Sequence, residues 1–138
     1  MRVFLDTNVL VSAFSTRGLC ADLLRYVLAE HELITGEVNL VELRRVFRDR
    51  IKLPASTLAA IERLLRDQVV IPKPAKPLLL PIRDPDDRWV VATAVAAEAD
   101  VLVMGDLDLL DIASQAPLPI VDPRGFWTMV REGSGPSR

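Results

Sequence analysis

Val3-Phe4-Leu5-Asp6-Thr7-Asn8, near the start of the chain, and Val101-Leu102-Val103-Met104-Gly105-Asp106, near its end, share one form: a short apolar run closed by an acid. Runs this short and this rich in β-prone residues read as buried strands of a parallel sheet. Ligands of open α/β sheets bind beyond the carboxyl ends of the strands, which is where Asp6 and Asp106 stand. Two carboxylates in one pocket repel each other unless a positive charge lies between them. A divalent cation is the economical solution, and phosphodiester hydrolysis is the usual chemistry of such a site.

Outward from these two runs, the spacing predicts strands over 2–5, 33–35, 101–104 and 118–121. The last is placed at a sheet edge by Pro119. Helices are expected over about 7–14, 19–29, 37–50, 55–69, 86–99, 107–113 and 123–131. Pro54 suits the first turn of the helix at 55–69. Val38, Val41, Val46 and Phe47 fall on one side of the helix at 37–50. Residues 72–85 hold five of the ten prolines and read as an extended connection, with a short edge segment at Leu78-Leu79-Leu80. Strands that alternate with helices imply a parallel sheet covered on both faces.

A chain of 138 residues, half of them apolar, suits one domain over 1–132, with 133–138 as a disordered tail. No apolar run approaches the roughly 18–20 residues of a membrane span. Asp6 interrupts the N-terminal run too early for a signal peptide. A soluble cytoplasmic protein with no membrane partner is the expectation. Cys20 is the lone cysteine and His31 the lone histidine, which excludes an internal disulfide and a Cys/His zinc site. Net charge is −2, but its distribution is uneven. Residues 44–52 carry five basic groups and one acid, while 84–111 carry eight acids and only Arg88. A basic stripe beside an acidic pocket can hold a phosphate backbone next to metals. Arg44, Arg45 and Arg48 are the candidates for phosphate contact.

Four acids are candidates for the pocket, and each also has a structural reading. Asp6 suits an N-cap for the helix starting at Thr7, and Asn8 suits a hydrogen bond to a carboxylate or water. Glu42 shares a helix face with Val38 and Val46, an expensive place for an ionised carboxylate unless it is paired or metal-bound. Its structural reading is an ion pair with Arg45 or another arginine. Asp84-Pro85 reads as N-cap and N1, which puts Asp87 at N3, where an acid favours the helix dipole and also points toward the pocket. Asp86 reads as a surface acid. Asp106 suits a cap for a helix near 107, with Asp108 and Asp111 as first-turn or solvent acids, Asp108 being also a candidate for the pocket.

The segments VFLDTNVLVSA (3–13), VEL (41–43), RDPDDRWVVATAVAAEADVLVMGDLDLL (83–110) and IVDPRGFW (120–127) together resemble a PIN domain. The third is similar to the VapC-like toxin components of prokaryotic toxin–antitoxin pairs. The resemblance implies a three-layer α/β/α sandwich with a central parallel sheet. It implies an Mg²⁺- or Mn²⁺-dependent ribonuclease using one or two ions, inhibited by a cognate antitoxin and often a homodimer. Asp6, Glu42, Asp87 and Asp106 match the family's four acids in order, and Asp108 matches an accessory acid of some members. Thr7 and Asn8 match the polar residues beside the first acid. Met104 departs from the pattern, since many members carry Thr or Ser two positions before the fourth acid.

Rival folds with an acidic pocket fit less well. A haloacid-dehalogenase-type phosphatase wants a second Asp where Asn8 stands. A receiver domain wants a late lysine, and none follows Lys76. No glycine-rich phosphate loop follows the first strand. The rival from another class is a catalytically weak or inactive PIN-like module that binds RNA or protein and uses its acids as caps and ion pairs.

Overall fold

Strand β1 (Arg2–Leu5) lies at the centre of a five-stranded, all-parallel sheet. The computed structural model describes residues 1–77, 85–105 and 113–132. Along the chain, α1 (Thr7–Ser15), α2 (Leu19–Glu30), β2 (Glu32–Gly36), α3 (Glu37–Arg45), α4 (Ala55–Arg66) and β3 (Val69–Ile71) follow. After these come α5 (Pro85–Ala96), β4 (Val101–Val103), β5 (Ile120–Val121) and α6 (Pro123–Arg131). The strand order is β3-β2-β1-β4-β5. The chain therefore winds outward from β1 to β3 and then returns to add β4 and β5 on the other side. The reversal falls between β1 and β4, where Leu5 pairs with Val103 and the Asp6 N–H donates to the Val103 carbonyl at 3.0 Å.

Side chains of a strand alternate between faces, and this sorts the core into two layers. Val3, Leu5, Leu33, Val101 and Val103 pack with α1, α2, α3, α4 and α6. Phe4, Ile34 and Leu102 face the other way, against Val90, Val91 and Ala94 of α5 and Ala97 just beyond it. The result is the expected α/β/α sandwich. Met104, the departure from the family pattern, is fully buried in this second layer. Among the described residues no helix is long and apolar enough to cross a membrane. Cys20 is half-buried against the first layer, and burial pushes its thiol up from the ordinary value.

Several expected elements change. The helix expected over 55–69 stops at Arg66, because Val69–Ile71 pairs with Ile34–Gly36 as edge strand β3. The apolar spacing that suggests a helix out to Val69 is equally that of a helix followed by a half-buried edge strand. Pro54 sits at the N-cap, one residue before the helix rather than within its first turn. The stretch expected as one helix over 37–50 is α-helical to Arg45 and π-helical over Val46–Arg50. Val41 is 59% exposed, so it does not join Val46 and Phe47 in the core. The last strand is only Ile120–Val121, at an edge as expected. The segment 78–80, Asp84, the helix expected from 107, Asp106, Asp108 and the tail 133–138 lie outside the described residues; Ala113–Gln115 is a single 3₁₀ turn.

Candidate active site

Asp6 occupies the carboxyl end of the central strand, beside the point where the winding of the sheet reverses. Crevices of α/β sheets form at such switch points. It is 4% exposed and takes the N-cap position of α1, yet its side chain makes no capping hydrogen bond. Asp122 provides an internal comparison, since it also stands between a strand and a helix. There the carboxylate accepts from the Gly125 N–H at 2.7 Å, an ordinary cap. Asp122 thus caps its helix by its side chain, and Asp6, at the same kind of position, does not.

Thr7, the first residue of α1, is also buried. Its hydroxyl accepts from the amide Nδ2 of Asn39 at 3.0 Å, and Asn39 is fully buried on α3. Asn39 has no counterpart in the sequence reading. An asparagine between Val38 and Leu40 looks like a solvent residue, and only the tertiary fold reveals its partner. Asn8, by contrast, is exposed. Two polar atoms near the end of β2, Thr35 Oγ1 and Asn39 Oδ1, are buried with no hydrogen-bond partner among the described residues.

Glu42 lies one helical turn beyond Asn39. It lines a groove of about 340 Å³ between α3 and α5, together with Glu37, Val41, Arg45, Lys73, Asp86 and Trp89. The first turn of α5 thus meets the middle of α3. Asp86, the residue the sequence marks as a mere surface acid, is the one that lines this groove, while Asp87 is half-buried at the third position of the helix. The Lys73 ammonium lies 4.3 Å from the centre of the Trp89 ring, a cation–π contact that fixes one wall. Among the described residues no three acids or histidines come close enough to hold a metal by themselves. The fourth candidate, Asp106, follows Gly105 in sequence and lies outside the described residues, as does Asp108. The candidate donors are all carboxylate oxygens, which is the set hard divalent cations prefer.

The three arginines differ in their surroundings. Arg44 donates to both Glu62 oxygens, through Nε at 3.0 Å and Nη2 at 2.8 Å. Arg48 is paired with Asp49 at 2.8 Å on the exposed side of the π-helical stretch. Among the described residues Arg45 has no ion-pair partner, and it lines the groove with Glu42. Arg66 extends the Arg44–Glu62 pair by reaching Glu62 at 3.3 Å and Glu37 at 2.8 Å. The hydrogen bond from Arg44 is the main reason the Glu62 carboxyl is held below the usual range; the bond from Arg66 does the same for Glu37. A depressed carboxyl pKa stabilises the fold above its unfolded value. That stability fades as pH falls below about 4.5 and through the folded value. Glu62→Gln should lower stability at pH 7 by about 0.5–1 kcal/mol, after discounting for solvent screening. Its unfolding midpoint should converge with that of wild type once pH falls through the depressed folded value of Glu62, as denaturant melts across the pH range would record.

The model of the PIN domain matches residues 2–108. No curated protein matches the sequence. Among solved structures, a chain of VapBC2 from Rickettsia felis, bound to a DNA fragment from their promoter, superposes with a TM-score of 0.62 at 17% identity, covering 88% of this chain and 98% of that one. A chain of VapBC-1 from nontypeable Haemophilus influenzae gives 0.62 at 21% identity, covering 90% and 99%. A chain of FitAB bound to the IR36 DNA fragment gives 0.63 at 14%, covering 88% and 94%. At these identities the likeness is one of fold. The sequence match itself runs from the first residue of β1 past the end of β4, and on that ground the chain belongs to the PIN domain family.

Proposed function

We propose that this chain is a metal-dependent endoribonuclease and the toxin of a toxin–antitoxin pair. The observation that carries the reading is Asp6: a buried carboxylate at the switch point of a parallel sheet, at an N-cap, without a capping bond. Membership of the PIN family supports nuclease chemistry, and the VapBC and FitAB complexes support an antitoxin-like protein partner. A homodimer and RNA as substrate come from the sequence resemblance, and a cytoplasmic setting from the composition and the interrupted N-terminal run.

Asp6, Glu42, Asp87 and Asp106 would hold one or two Mg²⁺ or Mn²⁺ ions, with Asp108 as an accessory acid. When bound, such an ion orients and acidifies a water and offsets charge on the scissile phosphate. The protein's own part is positional. Arg45, on the groove wall beside Glu42, is suited to a backbone phosphate, a role that the bidentate Arg44–Glu62 pair leaves less available to Arg44. Arg48, Thr7 and Asn8 are the remaining substrate candidates. Met104 favours a second reading, a non-catalytic PIN module, because a buried thioether replaces a hydroxyl near the fourth acid.

One experiment separates the two. Purified protein would be incubated with a mixed pool of structured and single-stranded RNAs in Mg²⁺, Mn²⁺ or EDTA, with thermal melts in the same buffers. Cleavage that requires metal, with a melting temperature raised by the ion as site binding demands, is the expected result. RNA left intact in every buffer, with no shift in melting, would leave only the binding-module reading.

A further inference from the structure

We propose that Asn39 is a positioning residue that fixes Asp6 relative to Glu42 by bracing α1 against α3 through Thr7; this rests on the nuclease reading above. Thr7 is the covalent neighbour of Asp6 and begins α1. Asn39 stands in the first turn of α3, one turn before Glu42. Among the described residues, the buried side-chain bond between these helices is Asn39 Nδ2 to Thr7 Oγ1, 3.0 Å, between residues 0% and 1% exposed. It therefore ties together the two elements that carry the first and second acids.

As a stabilising device the amide is poor. Among the described residues its Oδ1 is buried without a partner. A half-satisfied buried amide contributes no more than an apolar side chain of similar volume, and often less. Leu40 and Leu43, on the same helix, show that leucine is accommodated in this layer. What the amide supplies that a leucine cannot is a directional link. Because the Thr7 oxygen accepts from Asn39, its own O–H proton is turned away from α3. Among the described residues that hydroxyl has no acceptor. The hydroxyl is thereby oriented as a donor beside Asp6, at the carboxyl end of β1. Partners that orient ligand carboxylates change metal affinity by about 10–100-fold.

The test uses the full chain with Asn39→Leu, Thr7→Val and the double variant. Mn²⁺ affinity is read by calorimetry and melting temperature in EDTA. The expected result is a melting temperature in EDTA at or above wild type for Asn39→Leu, with Mn²⁺ affinity reduced about tenfold. Thr7→Val should match that loss, and the double variant should lose no more than either single change, because both remove one link. Should Asn39→Leu fail to fold, Thr7→Val carries the same prediction. Wild-type Mn²⁺ affinity in the single variants, or losses that add in the double, would overturn the proposal while leaving the nuclease reading intact. Absence of any Mn²⁺ binding by wild type would overturn both.

Discussion

Asp6→Asn should abolish metal-dependent RNA cleavage, by about 100-fold or more, and leave the fold as stable as before in EDTA. The two halves of this expectation rest on different observations. The loss follows from position: outer-shell partners of metal ligands are already worth about 10–100-fold, and Asp6 is assigned a direct ligand role. The unchanged stability follows from the likeness of the two side chains. Asn and Asp are comparable N-cap residues of nearly equal volume, and the amide keeps an oxygen acceptor. The same change at Asp122 should behave in the opposite way. There the carboxylate holds the Gly125 N–H at 2.7 Å, so Asp122→Ala should cost about 1 kcal/mol and leave metal dependence alone. Circular dichroism melts in EDTA and in Mn²⁺, run beside the RNA assay, report both properties. Cleavage by Asp6→Asn at the wild-type rate would remove Asp6 from the site and the central support of the nuclease reading with it.

Legibility in the sequence followed the range of the interactions involved. Val3-Phe4-Leu5 and Val101-Leu102-Val103 are legible as buried strands because burial on both faces leaves a continuous apolar run. Asp6 is legible because its strand ends abruptly in a polar residue. Pro85 is legible as a helix start because its fixed backbone angle suits that place alone. Edge strand β3 is not legible. Its three residues are half-buried and directly follow a helix whose apolar period they continue. Nor is the exposure of Val41, since which part of a helix face is covered depends on what packs there. Asp86 is exposed, as the sequence reading has it, but its place on the groove, like the role of Asn39, arises only when α3 meets α5 or α1, contacts separated by many residues along the chain. The arginines show the limit in charge patterning: the stripe at 44–52 is evident, but that Arg44 is engaged by Glu62 while Arg45 faces the groove is a tertiary fact.

The meeting of α3 and α5 depends on one small residue, and Gly36→Ala should disrupt it. The backbone of Gly36 does not require glycine, since its φ of −128° is extended and open to any residue. Space does require it. A Cβ there would lie 2.6 Å from Thr93 Cγ2 and 3.1 Å from Asn39 Oδ1. Thr93 is fully buried, and its hydroxyl donates to the Trp89 carbonyl at 2.7 Å, so it has little room to turn aside. Relief must come from movement of α5 away from β2 and α3. Overpacking of this kind costs about 1–3 kcal/mol, partly offset by about 0.4–1 kcal/mol from the stiffer unfolded chain. The same displacement would separate Asp86 and Trp89 from Glu42 across the groove, so cleavage should fall more than stability alone explains. Thr93→Ser provides the control, since it deletes the clashing methyl group and keeps the hydroxyl. Combined with Gly36→Ala it should recover most of the lost stability and activity, a coupling that denaturant melts and the RNA assay would measure as strong non-additivity. If Gly36→Ala and Thr93→Ser instead add independently, the close approach of α5 to β2 is not what sets the groove, and the placement of Glu42 opposite Asp86 must rest on other contacts.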